Sequence, residues 1–378
     1  MIGNPRISIV GAGPGGLTCA RILQKHGISV TVYDRDAGPQ ARDQGGSLDL
    51  SPEDGQLALS EAGLIDAFFA LARPEGQEMR QIDPQGRLLS RRAPEPDELY
   101  KPEIDRGRLR DLLLGSLEPE TVQWGRSLDS VAGPSDGPRE LRFSDGTVVE
   151  TDLVIGADGA SSRVRPAVSS AVARYSGMSF LEAWFDDVDT RHPGLAELTG
   201  PGLAAAADGE RALFAQRNGG NQVRVYIIQQ VPVDWIARAG LTIADTPGLR
   251  AHLLEQYAGW APVMRSMITD NDGPYVDRPI FVLPADHSWE HSPSVTLLGD
   301  AAHLIPPIGV GVNLAMLDAC ELALALAGSA TVDDAVRRYE KPMLERSIEL
   351  ARTVEQLGGA AGMIEVDDEE AAEFRSAP

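Results

Sequence analysis

The stretch from Leu297 to Asn313 reads Leu-Leu-Gly-Asp-Ala-Ala-His-Leu-Ile-Pro-Pro-Ile-Gly-Val-Gly-Val-Asn and sets a carboxylate, Asp300, three residues before an imidazole, His303. Such a pair invites acid–base chemistry. An apolar strand ends at Gly299, a turn rich in Pro and Gly follows, and a helical pattern begins near Asn313. Strand, turn and helix in that order aim free backbone N–H groups at an anion. Asp300 therefore reads foremost as an acceptor beside a ligand, with a turn or N-cap carboxylate as the alternative, and His303 as a group that packs or caps within the turn. A second constellation opens the chain. Ile7 to Val10 is an apolar run, followed by Gly11-Ala12-Gly13-Pro14-Gly15-Gly16, a helical pattern to Gly27, a strand from Ser29 to Tyr33, and then Asp34-Arg35. G-x-G-x-x-G between strand and helix, with an acid closing the second strand, is a dinucleotide-binding fingerprint. Gly11 permits the tight turn, Gly13 lets the backbone approach a pyrophosphate, and Gly16 lets helix and strand pack closely. Asp34 would accept hydrogen bonds from ribose hydroxyls and repel a 2′-phosphate, which suits FAD or NAD.

Competing chemistries have weaker support. His287 and His291 are four apart, a metal-binding spacing on a helix, but the residues around them read as loop and no third ligand is near, so no metal is expected. Ser162 lies in Asp158-Gly159-Ala160-Ser161-Ser162, without the G-x-S-x-G elbow of a hydrolase nucleophile. Cys19 and Cys320 fall in apolar helical runs and read as buried core residues in a reducing compartment.

The elements that must position these residues follow from periodicity. A polar loop leads to Gly45-Gly46-Ser47-Leu48-Asp49-Leu50, with Arg42 just before it. Helices are expected from Pro52 to about Ala72 and from Ile104 to Leu117, the latter carrying Arg106 and Arg110 on one face. A hairpin spans Arg139 to Thr151 around Asp145-Gly146, and a buried strand runs from Leu153 to Ile155. From Tyr175 to about Pro284 strands alternate, with Phe180, Glu182 and Trp184 on one face of one strand and Arg224, Tyr226 and Ile228 on one face of another. Helices close the chain from Asn313 to Ala327 and from Val332 to about Leu357. The acidic run Asp367 to Glu370 reads as a solvated tail.

At 378 residues, with 43% apolar and 24% charged residues, the chain suits about two globular domains. Its formal charge of -22 disfavours nucleic acid and anionic membranes as partners. No charged n-region precedes the first strand and no apolar run approaches the roughly 18 residues of a membrane span, so a cytoplasmic protein, monomer or homodimer, is expected.

Three motifs in order carry a resemblance across nearly the whole chain: Gly11 to Gly16, Asp158-Gly159 with Ser162-Arg163-Val164-Arg165, and Gly299-Asp300-Ala301-Ala302-His303. The chain resembles class A FAD-dependent monooxygenases of the para-hydroxybenzoate hydroxylase type. Within them, Gly45 to Leu50 and the stretch from Glu103 to Trp124 resemble the tetracycline-inactivating monooxygenases. The resemblance implies an α/β fold: a Rossmann-like FAD-binding domain (1–75, 101–174 and 285–330), an inserted antiparallel-sheet substrate domain (76–100 and 175–284), and a C-terminal helix and acidic tail (331–378). It implies that Gly46, Asp49, Arg106 and Asp300 contact FAD, that Arg42 meets NADPH, and that Asp158 and Gly159 serve both. Asp300 would accept a ribityl hydroxyl, while Pro307, Gly309, Gly311 and Asn313 would turn backbone N–H groups and a helix end toward the flavin ring.

The implied reaction consumes NADPH and O2 and hydroxylates an aromatic or polycyclic small molecule, a natural product or antibiotic, through a C4a-hydroperoxyflavin. Same-fold alternatives are a flavin oxidoreductase, an epoxidase, a Baeyer–Villiger enzyme or a non-catalytic nucleotide-binding escort. Departures fall in the substrate positions: Glu182 stands for a Gln of the tetracycline enzymes, Leu203 for an Arg and Arg224 for a His. With Trp184 and Tyr226 these are the expected substrate contacts. The turn after Pro307 is also one residue short, with Val310 in place of a Gln.

Overall fold

The computed structural model describes residues 4–209 and 211–357; the acidic run Asp367 to Glu370 lies outside them. The chain forms two compact units. Of the described residues, the first comprises those up to Ala72, Arg106–Arg174 and Phe281–Thr353; the second comprises Arg73–Asp105, Tyr175–Ile280 and those from Val354 on.

A five-stranded sheet organises the first unit, in the order Val295–Leu297, Leu153–Gly156, Ile7–Val10, Val30–Tyr33, Val122–Gln123. Every pairing is parallel. These strands are short, apolar and mostly β-branched, as strands covered on both faces must be. Register matters most. Tyr33 pairs with Val10, Val10 with Gly156 and Gly156 with Leu297, so four strands end in one row. The residues that follow, Asp34, Gly11, Ala157 and Leu298, leave the sheet side by side at its carboxyl edge, where open α/β sheets bind ligands. The fingerprint helix Pro14–Lys25 packs on the long helix Gly311–Gly328 through Gly15, where a Cβ would meet the Ala315 carbonyl oxygen at 2.9 Å.

The second unit holds a seven-stranded sheet, in the order Val276–Val282, Arg174–Phe185, Gln222–Gln230, Arg211–Asn218, Leu203–Asp208, Met79–Ile82, Leu88–Arg92. One face, with Leu181, Ala183, Phe185, Val223, Val225 and Ile227, forms a core with Leu249, Leu253, Met264 and Met267 of the helices Thr246–Gln256 and Pro262–Thr269. Two of the strands, Met79–Ile82 and Leu88–Arg92, come from the 76–100 segment, and the expected antiparallel sheet is in fact mixed, because one pair, Leu203–Asp208 with Met79–Ile82, is parallel.

Three further expectations are corrected. The helix from Pro52 is π-helical over Pro52–Gln56, continues as Leu57–Ala62 and is then interrupted before Ile65–Phe69, because Gly63 takes a left-handed C-cap at φ 73°. The helix expected from Ile104 starts at Arg106, and Ile104 lies in the strand Glu103–Asp105. An apolar run of span length does exist: Gly311–Gly328, 18 residues with mean hydropathy 1.4. It is a core helix, 61% buried, and it carries the fully buried Asp318.

Candidate cofactor and substrate site

Gly11 adopts φ 110°, and a Cβ there would meet the Ala157 carbonyl oxygen at 2.3 Å. At Gly16 a Cβ would meet the Gly11 carbonyl oxygen at 2.1 Å. Both glycines are required by the crossing of this turn with the neighbouring strand. Gly13 differs: nothing lies within 4 Å of a Cβ built there. It is also the N-cap of the fingerprint helix, with no side-chain cap and Pro14 at the start of the first turn. Uncapped N–H groups and open space above a glycine fit a phosphate group.

Asp34 accepts hydrogen bonds from the backbone N–H groups of Ala12 (2.6 Å) and Asp36 (2.8 Å). Its carboxylate thus ties the fingerprint turn to the second strand, with lone pairs left over. Arg35 is exposed. Arg42 pairs with Asp36 at 3.0 Å, placing it near the end of the second strand. Arg110, unlike the exposed Arg106, is buried: it donates to the Ala12 carbonyl at 3.1 Å and the Pro39 carbonyl at 2.7 Å, and lies 5.1 Å from the Trp124 ring centre. Burial lowers its pKa, offset in part by Asp34 and Asp36.

Asp158 caps its own loop, accepting from Ser162 Oγ at 2.6 Å and from the N–H groups of Arg163 and Val164 at 2.6 and 3.3 Å. Gly159 follows at φ 76°. Burial raises the Asp158 pKa despite these bonds. Asp300 is not a cap: the residue is exposed and among the described residues no group donates to its carboxylate, while the protein atoms crowded around it raise its pKa against the opposing charges of His303, Arg106 and Arg165. Its exposed oxygens are open to hydroxyl donors of a ligand.

His303 points away from any acid–base role. Its Nε2 lies 2.5 Å from Asp318 Oδ2, which also accepts the Gly299 N–H at 3.0 Å, while Asp318 Oδ1 accepts from Arg346 Nη2 at 2.9 Å. Burial lowers the His303 pKa, but the charge and hydrogen bond of Asp318 outweigh it and leave the pKa raised; Asp318 is lowered in turn against its own burial. Asp318, missed in the sequence, was signalled by a carboxylate inside an apolar helix. Asn313 turns its side chain inward: Oδ1 accepts from the Ser51 and Gly55 N–H groups at 2.9 and 3.3 Å, and Nδ2 donates to the Asp49 carbonyl at 2.9 Å. Gly46, buried, accepts the Arg106 N–H at 3.0 Å. Pro307 and Gly309 are exposed, Gly309 at φ 87°, and Gly311 begins the long helix.

His287 and His291 hold structure. His287 bridges the Ala302 carbonyl (2.8 Å) and Ser169 Oγ (3.0 Å), and His291 sits between Glu340 (2.8 Å) and Asp333 (2.7 Å). Among the described residues no cluster could hold a metal ion.

In the second unit the two alternating faces prove to be one. Glu182 pairs with Tyr226 and Trp184 with Arg224; Arg224 pairs with Gln216 and Gln216 with Leu203. All five expected substrate residues therefore lie on the sheet face opposite the helices. The Arg224 guanidinium, 2% exposed, stacks 3.4 Å from the Trp184 ring centre and lies 3.5 Å from Glu182 Oε2; Arg278 reaches Glu182 Oε1 at 3.3 Å. Phe180, Phe214, Tyr226, Ile228 and Ile280 continue the face as an apolar patch.

Comparison with known proteins agrees with this geometry. The FAD binding domain family matches residues 5–230 and 288–348. The 3-amino-4-hydroxybenzoate 2-monooxygenase of Streptomyces cremeus is 31% identical over 369 residues, covering 93% of this chain and 86% of that protein. Monooxygenase penA of Penicillium thymicola is 29% identical over 394 residues, covering 89% and 90%. The Klebsiella pneumoniae HpxO structure complexed with FAD and uric acid shares the fold, with a TM-score of 0.78 at 23% identity, covering 98% and 93%. So does tetracycline destructase Tet(55), with a TM-score of 0.73 at 20% identity, covering 100% and 98%.

Proposed function

The chain belongs to the FAD binding domain family and is an FAD-dependent monooxygenase of the class A type, and from that premise we propose that it consumes NADPH and O2 to hydroxylate an aromatic or polycyclic small molecule in the cytoplasm. The observation that carries the reading is the row of loops at the sheet's carboxyl edge, where Gly13, Asp158 and Asp300 belong to three adjacent strands. Gly13 and the uncapped helix end would receive the pyrophosphate, Asp34 the ribose and Asp300 the ribityl chain. Bound FAD, once reduced, supplies O2 activation and transfer of one oxygen atom. The residues of the chain bind, orient and shield; none acts as nucleophile. Gly309, Gly311 and the start of the long helix favour negative charge through their N–H groups. Relatives that act on 3-amino-4-hydroxybenzoate or urate support a planar substrate.

The purified protein is expected to be yellow, with the absorption bands of bound FAD, and to take up O2 with NADPH when substrate is present. A substrate screen read by mass spectrometry should return a product heavier by one oxygen atom. Protein that stays colourless after incubation with FAD would sink the proposal.

Recognition is assigned to Glu182, Trp184, Leu203, Arg224 and Tyr226. With the substrate that the screen returns, Glu182→Gln and Arg224→Ala should each weaken binding about tenfold or more, the range for losing a hydrogen bond to a charged group. Substrate affinity unchanged in both variants would move the recognition site elsewhere.

A further inference from the structure

Three consecutive carbonyls in the Asp300 loop are held by two side chains from distant parts of the first unit. Arg165 Nη2 donates to the Asp300 carbonyl at 2.9 Å and Arg165 Nε to the Ala301 carbonyl at 2.7 Å. His287 Nδ1 lies 2.8 Å from the Ala302 carbonyl. Nδ1 must donate there, because a carbonyl only accepts, and Nε2 then accepts from Ser169 Oγ at 3.0 Å. The same Arg165 Nη2 reaches the Ala160 carbonyl at 3.1 Å, and the Arg165 backbone N–H donates to Ser162 Oγ, whose hydroxyl donates to Asp158. One guanidinium thus ties the Asp158 loop to the Asp300 loop.

The arrangement is costly for a strut. Arg165 is 5% exposed, and among the described residues its guanidinium donates to carbonyls without touching a carboxylate. A buried cation without a contacting anion is expensive, and a neutral side chain could bridge loops at lower cost. What a neutral group lacks is a planar fork that spans two adjacent carbonyls and carries charge to nearby carboxylates. Burial lowers the Arg165 pKa, and Asp158 and Asp300 are the charges that oppose this. The Asp300 side chain, meanwhile, is exposed and has no donor among the described residues to fix its direction, so its aim depends on its backbone.

The geometry points to Arg165, seconded by His287, as the positioning residue that aims the Asp300 carboxylate at the flavin and couples the Asp158 loop to it. This rests on the flavin reading above. The test is titration of FAD into flavin-free protein, followed by flavin fluorescence, for Arg165→Lys, His287→Gln, Asp300→Asn and the two double variants. Arg165→Lys should raise the FAD dissociation constant roughly tenfold to a hundredfold, the range set by losing hydrogen bonds from a charged donor. His287→Gln should raise it several-fold, about one neutral hydrogen bond's worth. In the Asp300→Asn background each should add less than about twofold, because the group being aimed is already weakened. The fine structure of the flavin absorption band should change in the single variants. Effects that multiply in the double variants, or an unchanged dissociation constant in whichever single variant folds, would overturn the inference; a lowered melting temperature of flavin-free protein alone would show a strut. Failure of the wild type to bind FAD is a separate result that removes the flavin reading and this inference with it.

Discussion

Asp318→Asn is expected to destabilise the protein by about 3–5 kcal/mol, the usual cost of breaking a buried ion pair by removing one partner. Asp318 is fully buried and faces His303, Arg346 and the Gly299 N–H. Without its charge the His303 imidazolium has no contacting anion and gives up its proton. Arg346 keeps Glu321, at 2.8 Å, so the loss concentrates on His303 and on the Gly299 turn. Chemical denaturation near pH 6 measures it, and a loss below about 1 kcal/mol would show that this network is not a main support of the fold.

The pair also fixes a pH profile. His303 has a raised folded pKa, so its contribution is complete below the unfolded value of about 6.5 and is lost as pH rises through the folded value. Asp318 has a lowered folded pKa, so its contribution is present above the unfolded value of about 3.9 and is lost as pH falls through the folded value. The two together favour a plateau between about pH 4 and 6.5 with a decline on either side. In Asp318→Asn both limbs should flatten.

What could be read from the chain was whatever is enforced locally. Gly11 and Gly16 are legible because a Cβ would have to sit 2.3 Å from a carbonyl oxygen at the first and 2.1 Å from one at the second, which only glycine avoids. Strand alternation likewise put Glu182 with Trp184 and Arg224 with Tyr226. That these two faces are the same face depends on register between strands about forty residues apart, which periodicity does not carry. Two other gaps share that cause, and the helix from Pro52 does not. Arg106 and Arg110 were read on one helix face, but that Arg110 donates to the carbonyls of Ala12 and Pro39 was not legible. The helix from Pro52 was read through Gly63 because apolar spacing continued across a left-handed cap. Arg165 belonged to a named motif, but its bonds to Asp300 and Ala301 join residues 135 and 136 positions apart. The sequence marks a charged residue in an unusual place; only the fold names its partner.

Gly11→Ala and Gly13→Ala, compared side by side, should separate what the fold requires from what the ligand requires. At Gly11 an alanine would hold φ near 110° and press its Cβ to 2.3 Å from the Ala157 carbonyl oxygen and 2.7 Å from the carbonyl carbon. Strain at such a φ costs about 1–3 kcal/mol, and overpacking against backbone costs a further 1–3 kcal/mol or so. Relief requires the strand Leu153–Gly156 to draw away from Ile7–Val10, which weakens the Ala157 N–H to Val10 bond of 2.8 Å and shifts the Asp158 loop. Flavin-free Gly11→Ala should therefore unfold several degrees lower and bind FAD poorly. Gly13→Ala meets nothing within 4 Å at an ordinary φ of -83°. Its cost to the free protein is limited to the poorer N-cap, about 1 kcal/mol. If a pyrophosphate lies against that backbone, the added methyl group stands in its place, and FAD affinity should fall at least tenfold with little change in flavin-free stability. Near-normal FAD binding by Gly13→Ala would mean that the open space above this glycine is not where the pyrophosphate sits.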